Sequence, residues 1–283
     1  MLIVDSQVHL WQEDDPEAKP RHGDRPYAAA DALAEMRTAG VDRALLIPPY
    51  WVGFDNDYCV DAAARHPDRF RVMGRFDVTA RDDQAVARWL AQPSMAGMRL
   101  TLHTPGLRPC VAGARADWFW AAAQQAGIPI MVYAPGELAG IARIASDFPE
   151  LKLAIDHMGV ARGGKDEGAF GHLDELLAMA TLPNVAIKLT TVPIYSSEPF
   201  PHPRLHPVLR AMFDAFGPRR LFWGSDLTRL PCSLRVAIDL FTEELKWLTA
   251  SDVEWIMGRA VSTWVGWPPA GRPAGERQVR EQE

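Results

Sequence analysis

The sequence predicts a parallel α/β barrel, and three observations carry that prediction. Eight short apolar runs recur along 283 residues, amphipathic segments stand between them, and several runs end abruptly in charged, amide or imidazole side chains. Most of the runs are apolar throughout, the mark of parallel strands covered by helices outside and by packed side chains within. A chain of 283 residues fits one such barrel and needs no second domain.

In chain order, the first strand, Leu2 to Val4, runs into Asp5-Ser6-Gln7-Val8-His9 and then a loop from Gln12 to Pro26. The helical segment Tyr27 to Thr38 stops at Ala39-Gly40, and Ala44 to Pro48 is the second strand. The helix Asp55 to Arg65 leads to a third strand at Phe70 to Phe76, and Gly97 to Leu102, carrying Arg99, is the fourth. The helix Ala116 to Gln125, halted by Ala126-Gly127, feeds the fifth strand, Ile128 to Tyr133; the helix Glu137 to Asp147, halted by Phe148-Pro149, feeds the sixth, Leu151 to Ile155, which ends in Asp156-His157. The helix Phe170 to Ala180 precedes the seventh, Val185 to Leu189, with Lys188 inside it. After a Pro-, Ser- and His-rich loop from Pro193 to Pro207, the helix Pro207 to Phe216 ends at Gly217-Pro218 and yields the eighth, Leu221 to Trp223, followed by Ser225-Asp226. Glycine and proline at these junctions are ordinary helix-stop chemistry. Eight strand-helix units predict closure into a (β/α)8 TIM barrel over residues 1–266, with a Pro-, Gly-, Arg- and Glu-rich tail over 267–283. The rival, an open nucleotide-binding sheet, lacks its usual glycine-rich phosphate motifs.

A net charge of -6 without clustered Lys and Arg argues against nucleic acid as a partner. No apolar stretch is long enough to span a membrane and no leader pattern opens the chain, so the expected location is cytoplasmic. Cys59, Cys110 and Cys232 are three scattered thiols in no metal or disulfide spacing. Ten tryptophans and some apolar helix faces would permit a homo-oligomer.

The polar strand ends are the functional signal. Alternation along a strand puts Gln7 and His9 on one face, both aimed at the barrel axis with a spacing that suits two ligands of one site, and Gln7 is expected to contact the substrate. His9, His157 and Asp226 come from strands one, six and eight, so barrel closure brings them to one mouth, where Asp226 would serve as general base or metal ligand. Arg99 reads either as the partner of a barrel carboxylate or as a clamp on a substrate carboxylate or lactone carbonyl, and Lys188 either balances Asp226 or polarises the substrate. Tyr133, His103, Tyr195 and Arg229 follow strand ends as further substrate contacts, and Trp11, Tyr50, Trp51 and Phe54 suggest an apolar wall. His202 and His206 have i, i+4 spacing, but the prolines around them disfavour the helix that a metal pair needs, and Arg162-Gly163-Gly164-Lys165 reads as a loop.

Val4-Asp5-Ser6-Gln7-Val8-His9-Leu10-Trp11, Gly97-Met98-Arg99-Leu100, Ile155-Asp156-His157-Met158-Gly159, Ile187-Lys188-Leu189-Thr190 and Phe222-Trp223-Gly224-Ser225-Asp226 appear in order. Together they resemble the amidohydrolase-2, lactonase-like branch of the amidohydrolase superfamily, which includes sugar-lactone hydrolases and 2-pyrone-4,6-dicarboxylate lactonase. The resemblance runs from residue 3 to about Trp264 and implies a distorted (β/α)8 barrel that opens lactones. It implies hydrolysis of a small, carboxylate-bearing lactone or ester, with Asp226 activating water, His157, Lys188 or a metal stabilising the oxyanion, and Arg99 holding the carboxylate. The family commonly has H-x-H at the end of strand one, whereas this chain has Gln7 before His9, and strand five ends Val132-Tyr133-Ala134 without a metal ligand. The resemblance therefore leaves two alternatives, one divalent ion, zinc by preference, on His9, His157 and Asp226, or a metal-free site. Two rival functions are a metal-dependent decarboxylase of an acidic substrate and a catalytically inactive barrel.

Overall fold

A computed structural model describes residues 1–12 and 26–267. Its strands are β1 (Val4–Val8), β2 (Arg43–Leu46), β3 (Phe70–Gly74), β4 (Met95–Thr101), β5 (Ile130–Tyr133), β6 (Leu153–Ile155), β7 (Val185–Thr190) and β8 (Leu221–Gly224). They pair in parallel in the order β1 to β8, the sequential arrangement of a nearly closed (β/α)8 barrel. At least one helix follows each strand, the principal ones being α1 (Ala29–Ala39), α2 (Asp57–Arg65), α3 (Asp83–Arg88), α4 (Asp117–Gln125), α5 (Leu138–Asp147), α6 (Leu173–Ala178), α7 (His206–Phe216) and α8 (Leu234–Asp239). Most of the expected loop from Gln12 to Pro26, and all of the expected tail after Trp267, lie outside the described residues.

All eight expected strands are present, and the largest boundary error is at the first. β1 starts at Val4 and continues through Asp5, Ser6 and Gln7, polar residues that hydropathy reads as a loop. Helix α3 escaped the sequence pattern because only Val86 of its six residues is buried. Helix α1 ends as its sequence suggests, with Gly40 at φ 79° and its N–H on the Met36 carbonyl, a left-handed cap that glycine adopts without steric cost.

Alternation along the strands sorts the interior into two levels. Leu45, Met73, Ala96, Met131, Ala154, Ala186 and Phe222 fill the lower level with Val4, and Ala260, Val261, Val265 and Trp267 pack beneath them. Trp267, placed by sequence in the tail, is buried and lies 4.7 Å from the Arg43 guanidinium, which also donates to its carbonyl at 3.1 Å. The upper level, by contrast, is polar: Gln7, Arg99, Asp156, Lys188 and Thr190 are all buried. Between β8 and β1 the barrel is joined by few bonds: the Asp226 N–H donates to the Gln7 carbonyl at 2.9 Å, the Ser225 N–H donates to Asp5 Oδ1 at 2.8 Å, and the Ser225 hydroxyl donates to Asp5 Oδ2. A side chain at Gly224 would sit 2.5 Å from Ser6 Oγ, so this seam closes only around a glycine. No helix among the described residues is long and apolar enough to cross a membrane.

Candidate active site

At the C-terminal mouth of the barrel a cavity of about 300 Å³ is lined by His9, Arg99, Thr101, His103, Tyr133, His157, Arg162, Asp226 and Arg229, with Pro49, Tyr50, Trp51 and Thr104 completing its wall. That volume suits a small molecule. The chain turns sharply where it leaves the strands: His157, Met158, Thr191 and Asp226 take φ of 52°, 56°, 58° and 49°. Such left-handed backbone costs a non-glycine residue on the order of 1–2 kcal/mol. Four instances around one cavity mark the part of the molecule where local stability gives way to placement of side chains.

Beneath the cavity lies a buried charge cluster. Arg99 Nε donates to Asp156 Oδ2 at 2.8 Å, and Lys188 Nζ is 2.9 Å from Asp156 Oδ1. Burial alone would raise the Asp156 pKa, but the two cations overcome it and hold the carboxyl well below the usual range. The Lys188 ammonium also donates to Gln7 Oε1, the Gln7 amide nitrogen lies 3.1 Å from His9 Nε2, and His9 Nδ1 is 2.7 Å from the Ile47 carbonyl. Burial lowers the His9 pKa to about 4 despite Asp226, whose Oδ1 is 3.4 Å from Nε2.

Above this cluster Asp226 and His157 face each other. Asp226 Oδ2 lies 4.0 Å from His157 Nε2 and 3.3 Å from Arg229 Nη1, and accepts from the Thr191 hydroxyl at 3.4 Å. His157 Nδ1 contacts Thr190 Oγ1 at 2.6 Å, and burial lowers its pKa to about 3, so the ring is neutral near pH 7. The Nε2 to Oδ2 gap is too long for a direct hydrogen bond and wide enough for a bound oxygen atom to lie against both.

The structure gathers His9, His157, Asp226, Arg99, Tyr133, His103 and Arg229 around one cavity, and it corrects three expectations. Lys188 balances Asp156, not Asp226, and with no exposed surface it cannot touch a bound molecule. Gln7 is likewise fully buried and contacts side chains rather than the cavity. Tyr195 packs at 6.2 Å against Phe170 within the core and is not among the lining residues, although Arg229, Asp226 and Tyr133 lie close enough to act on its hydroxyl, and burial raises its pKa. Arg99 combines both readings: Asp156 and Thr101 hold Nε and Nη1, while Nη2 has no hydrogen-bond partner among the described residues at a position that lines the cavity. Arg162, which lines the cavity, reads only as loop in the sequence because Arg-Gly-Gly-Lys is ordinary loop composition, and Thr190 and Thr191 are not assigned there because uncharged hydroxyls give no signal until their imidazole and carboxylate partners are placed. His202 and His206 bond backbone carbonyls, of Glu198 at 2.9 Å and Pro201 at 2.8 Å, as structural loop residues do.

The expected metal ligands do not form a ligand set. Among the described residues no group of three or more His, Cys, Asp or Glu side chains is placed to hold a metal ion. The Nε2 lone pair of His9 faces the Gln7 amide, and Asp226 Oδ2 faces the Arg229 cation. His9 Nε2 and Asp226 Oδ2 are thus engaged by protein partners, so the divalent ion expected on His9, His157 and Asp226 meets no ready-made set of three ligands among the described residues.

Residues 4–282 match the model of a family described as amidohydrolase. An L-fucono-1,5-lactonase of Burkholderia ambifaria is 28% identical over 243 residues, 79% of each chain. Among solved structures, an amidohydrolase from Burkholderia multivorans with bound zinc superimposes with a TM-score of 0.80 at 21% identity, over 95% of this chain and 100% of the other. A protein described as a probable 2-pyrone-4,6-dicarboxylic acid hydrolase from Acinetobacter baumannii, with citric acid bound, gives 0.77 at 17% identity, over 94% and 100%. At such identities the structural likeness establishes the barrel fold alone.

Proposed function

Because the chain belongs to the amidohydrolase family, we propose that this hydrolase opens a small, carboxylate-bearing lactone by attack of water on the ring carbonyl. One observation carries the reading: a carboxylate, a neutral imidazole and three guanidinium groups, from Asp226, His157, Arg99, Arg162 and Arg229, line one small cavity. The lactonase relative and the neighbour with bound citric acid support the substrate class.

In the proposed reaction Asp226 takes a proton from water as its oxygen bonds to the carbonyl carbon. The Thr190 hydroxyl contacts His157 Nδ1, and in the proposed reaction it donates to that nitrogen, so that the imidazole proton is on Nε2, toward the cavity. That N–H stabilises the carbonyl oxygen as it becomes an oxyanion. Collapse breaks the ring C–O bond, and the departing alkoxide takes the proton from Asp226, so the product is an open-chain hydroxy acid. Arg229, 3.3 Å from Asp226, compensates the buried negative charge, and Nη2 of Arg99 together with Arg162 holds the substrate carboxylate.

The test is acid release from sugar lactones and pyrone carboxylates by the wild type and by Asp226→Asn. The variant should fold as the wild type does and lose about 10²- to 10⁴-fold in kcat. A variant that keeps near wild-type turnover removes Asp226 from the reaction.

A further inference from the structure

Lys188 and Gln7 lie beneath the cavity and line no part of it, yet they determine what His9 can bind. We infer that the Lys188–Gln7 pair masks the Nε2 lone pair of His9 against metal ions, and that exchanging Gln7 for histidine opens a zinc site there. The inference does not depend on which bond the enzyme breaks.

Donors and acceptors around His9 fix the arrangement. An ammonium group has only hydrogens to offer, so the amide end that Lys188 Nζ touches is the oxygen, Oε1. The other end of the same amide, an NH2 group, then faces His9 Nε2 at 3.1 Å and requires a lone pair there. At the opposite side of the ring, Nδ1 meets the Ile47 carbonyl at 2.7 Å, and a carbonyl accepts only, so the ring proton is on Nδ1. Partners at both nitrogens thus specify one tautomer. A metal ion at His9 would need the lone pair that Gln7 already occupies, and it would meet amide hydrogens. Turning the amide over would bring its NH2 group onto the Lys188 ammonium, with donors facing donors and both groups fully buried. One lysine therefore holds the amide in the orientation that excludes a cation.

The spacing explains why position 7 is decisive. Two ligands of one tetrahedral zinc, at bond lengths of about 2.0–2.1 Å, are about 3.3 Å apart. Gln7 Nε2 to His9 Nε2 is 3.1 Å, and His9 Nε2 to Asp226 Oδ1 is 3.4 Å. An imidazole nitrogen in place of the amide nitrogen would complete three donors where the described residues now supply no such group.

The experiment is a zinc titration of the purified proteins against a competing fluorescent chelator, with bound zinc counted after gel filtration. Gln7→His should bind one zinc per chain at least about 100-fold more tightly than the wild type, and adding His9→Asn to it should abolish the gain. Equal affinities, or a wild type that carries one zinc per chain through gel filtration, would overturn the inference. Because Gln7 is fully buried and its exchange can disturb folding, the wild type is read separately by long-range ¹H–¹⁵N NMR. His9 should show a protonated Nδ1 and an unprotonated, hydrogen-bonded Nε2, with no change on equimolar zinc; an Nε2–H tautomer, or a zinc-dependent shift at Nε2, would also overturn it.

Discussion

Replacing Lys188 by methionine removes one charge from the barrel interior while roughly keeping the side chain's length, so its cost reports the ion cluster rather than packing. Lys188 has no exposed surface and serves Asp156 at 2.9 Å and Gln7 at once. Removing one member of a buried ion pair costs about 3–5 kcal/mol, mainly because the other charge is stranded. Here Asp156 keeps Arg99 at 2.8 Å, which puts the expected loss near the lower end, about 3 kcal/mol. In a chain of this size that corresponds to a fall in Tm of about 6–12 °C. The control is Arg65→Met, which breaks an ion pair whose side chains are 60% and 64% exposed and should cost about 0–1 kcal/mol. Adding Asp156→Asn to Lys188→Met neutralises the stranded carboxylate, so the double variant should lose less than the sum of the singles. Thermal melts followed by circular dichroism provide the assay. A Lys188→Met protein whose Tm stays within about 2 °C of the wild type, no worse than the surface control, would refute the account of a tightly coupled interior cluster.

Two further outcomes follow from the same geometry. Burial holds the His9 and His157 pKa values at about 4 and about 3 in the folded protein, against 6.5 for the unfolded chain. Between those values the unfolded chain binds protons that the folded one refuses, so their contribution to stability is complete above pH 6.5 and is lost as the pH falls toward 4. Melts across that range should show Tm falling with acid, and His157→Asn should flatten the fall; a Tm that rises on acidification would contradict the buried neutral imidazoles. Arg162→Met should raise KM for an acidic lactone about 10- to 100-fold with kcat nearly kept, as expected for loss of one charge-assisted contact; steady-state kinetics that leave KM unchanged would remove Arg162 from substrate binding.

The barrel was legible because β-rich apolar runs and turn residues repeat, and because strands buried on both faces advertise themselves by continuous hydrophobicity. His9, His157 and Asp226 were legible as polar residues ending apolar strands. Depth within the barrel was harder to read. Alternation says that Asp156 and Lys188 both point inward, but only the ladder that aligns Ala154 with Ala186 and Ile155 with Ile187 sets the two charges at one level. A hint was present in the shared pattern Ala154-Ile155-Asp156 and Ala186-Ile187-Lys188, where a small residue precedes each charge by two. Gln7 shows the same limit. Its face was readable from strand alternation, whereas the orientation of its amide depends on a lysine 181 residues away. Register between distant strands, which no local window contains, therefore separates residues that touch the cavity from those that support it.

The central claim is that water opens a lactone in the Asp226–His157 cavity, and simultaneous recording of acid release and carbon dioxide tests it most directly. The purified protein is presented with sugar 1,5-lactones, pyrone carboxylates and open-chain acidic substrates, with and without a chelator. The account predicts one acid equivalent per lactone opened, no carbon dioxide, and the same rate in chelator. Carbon dioxide released from an acidic substrate, with no acid from any lactone, would contradict it.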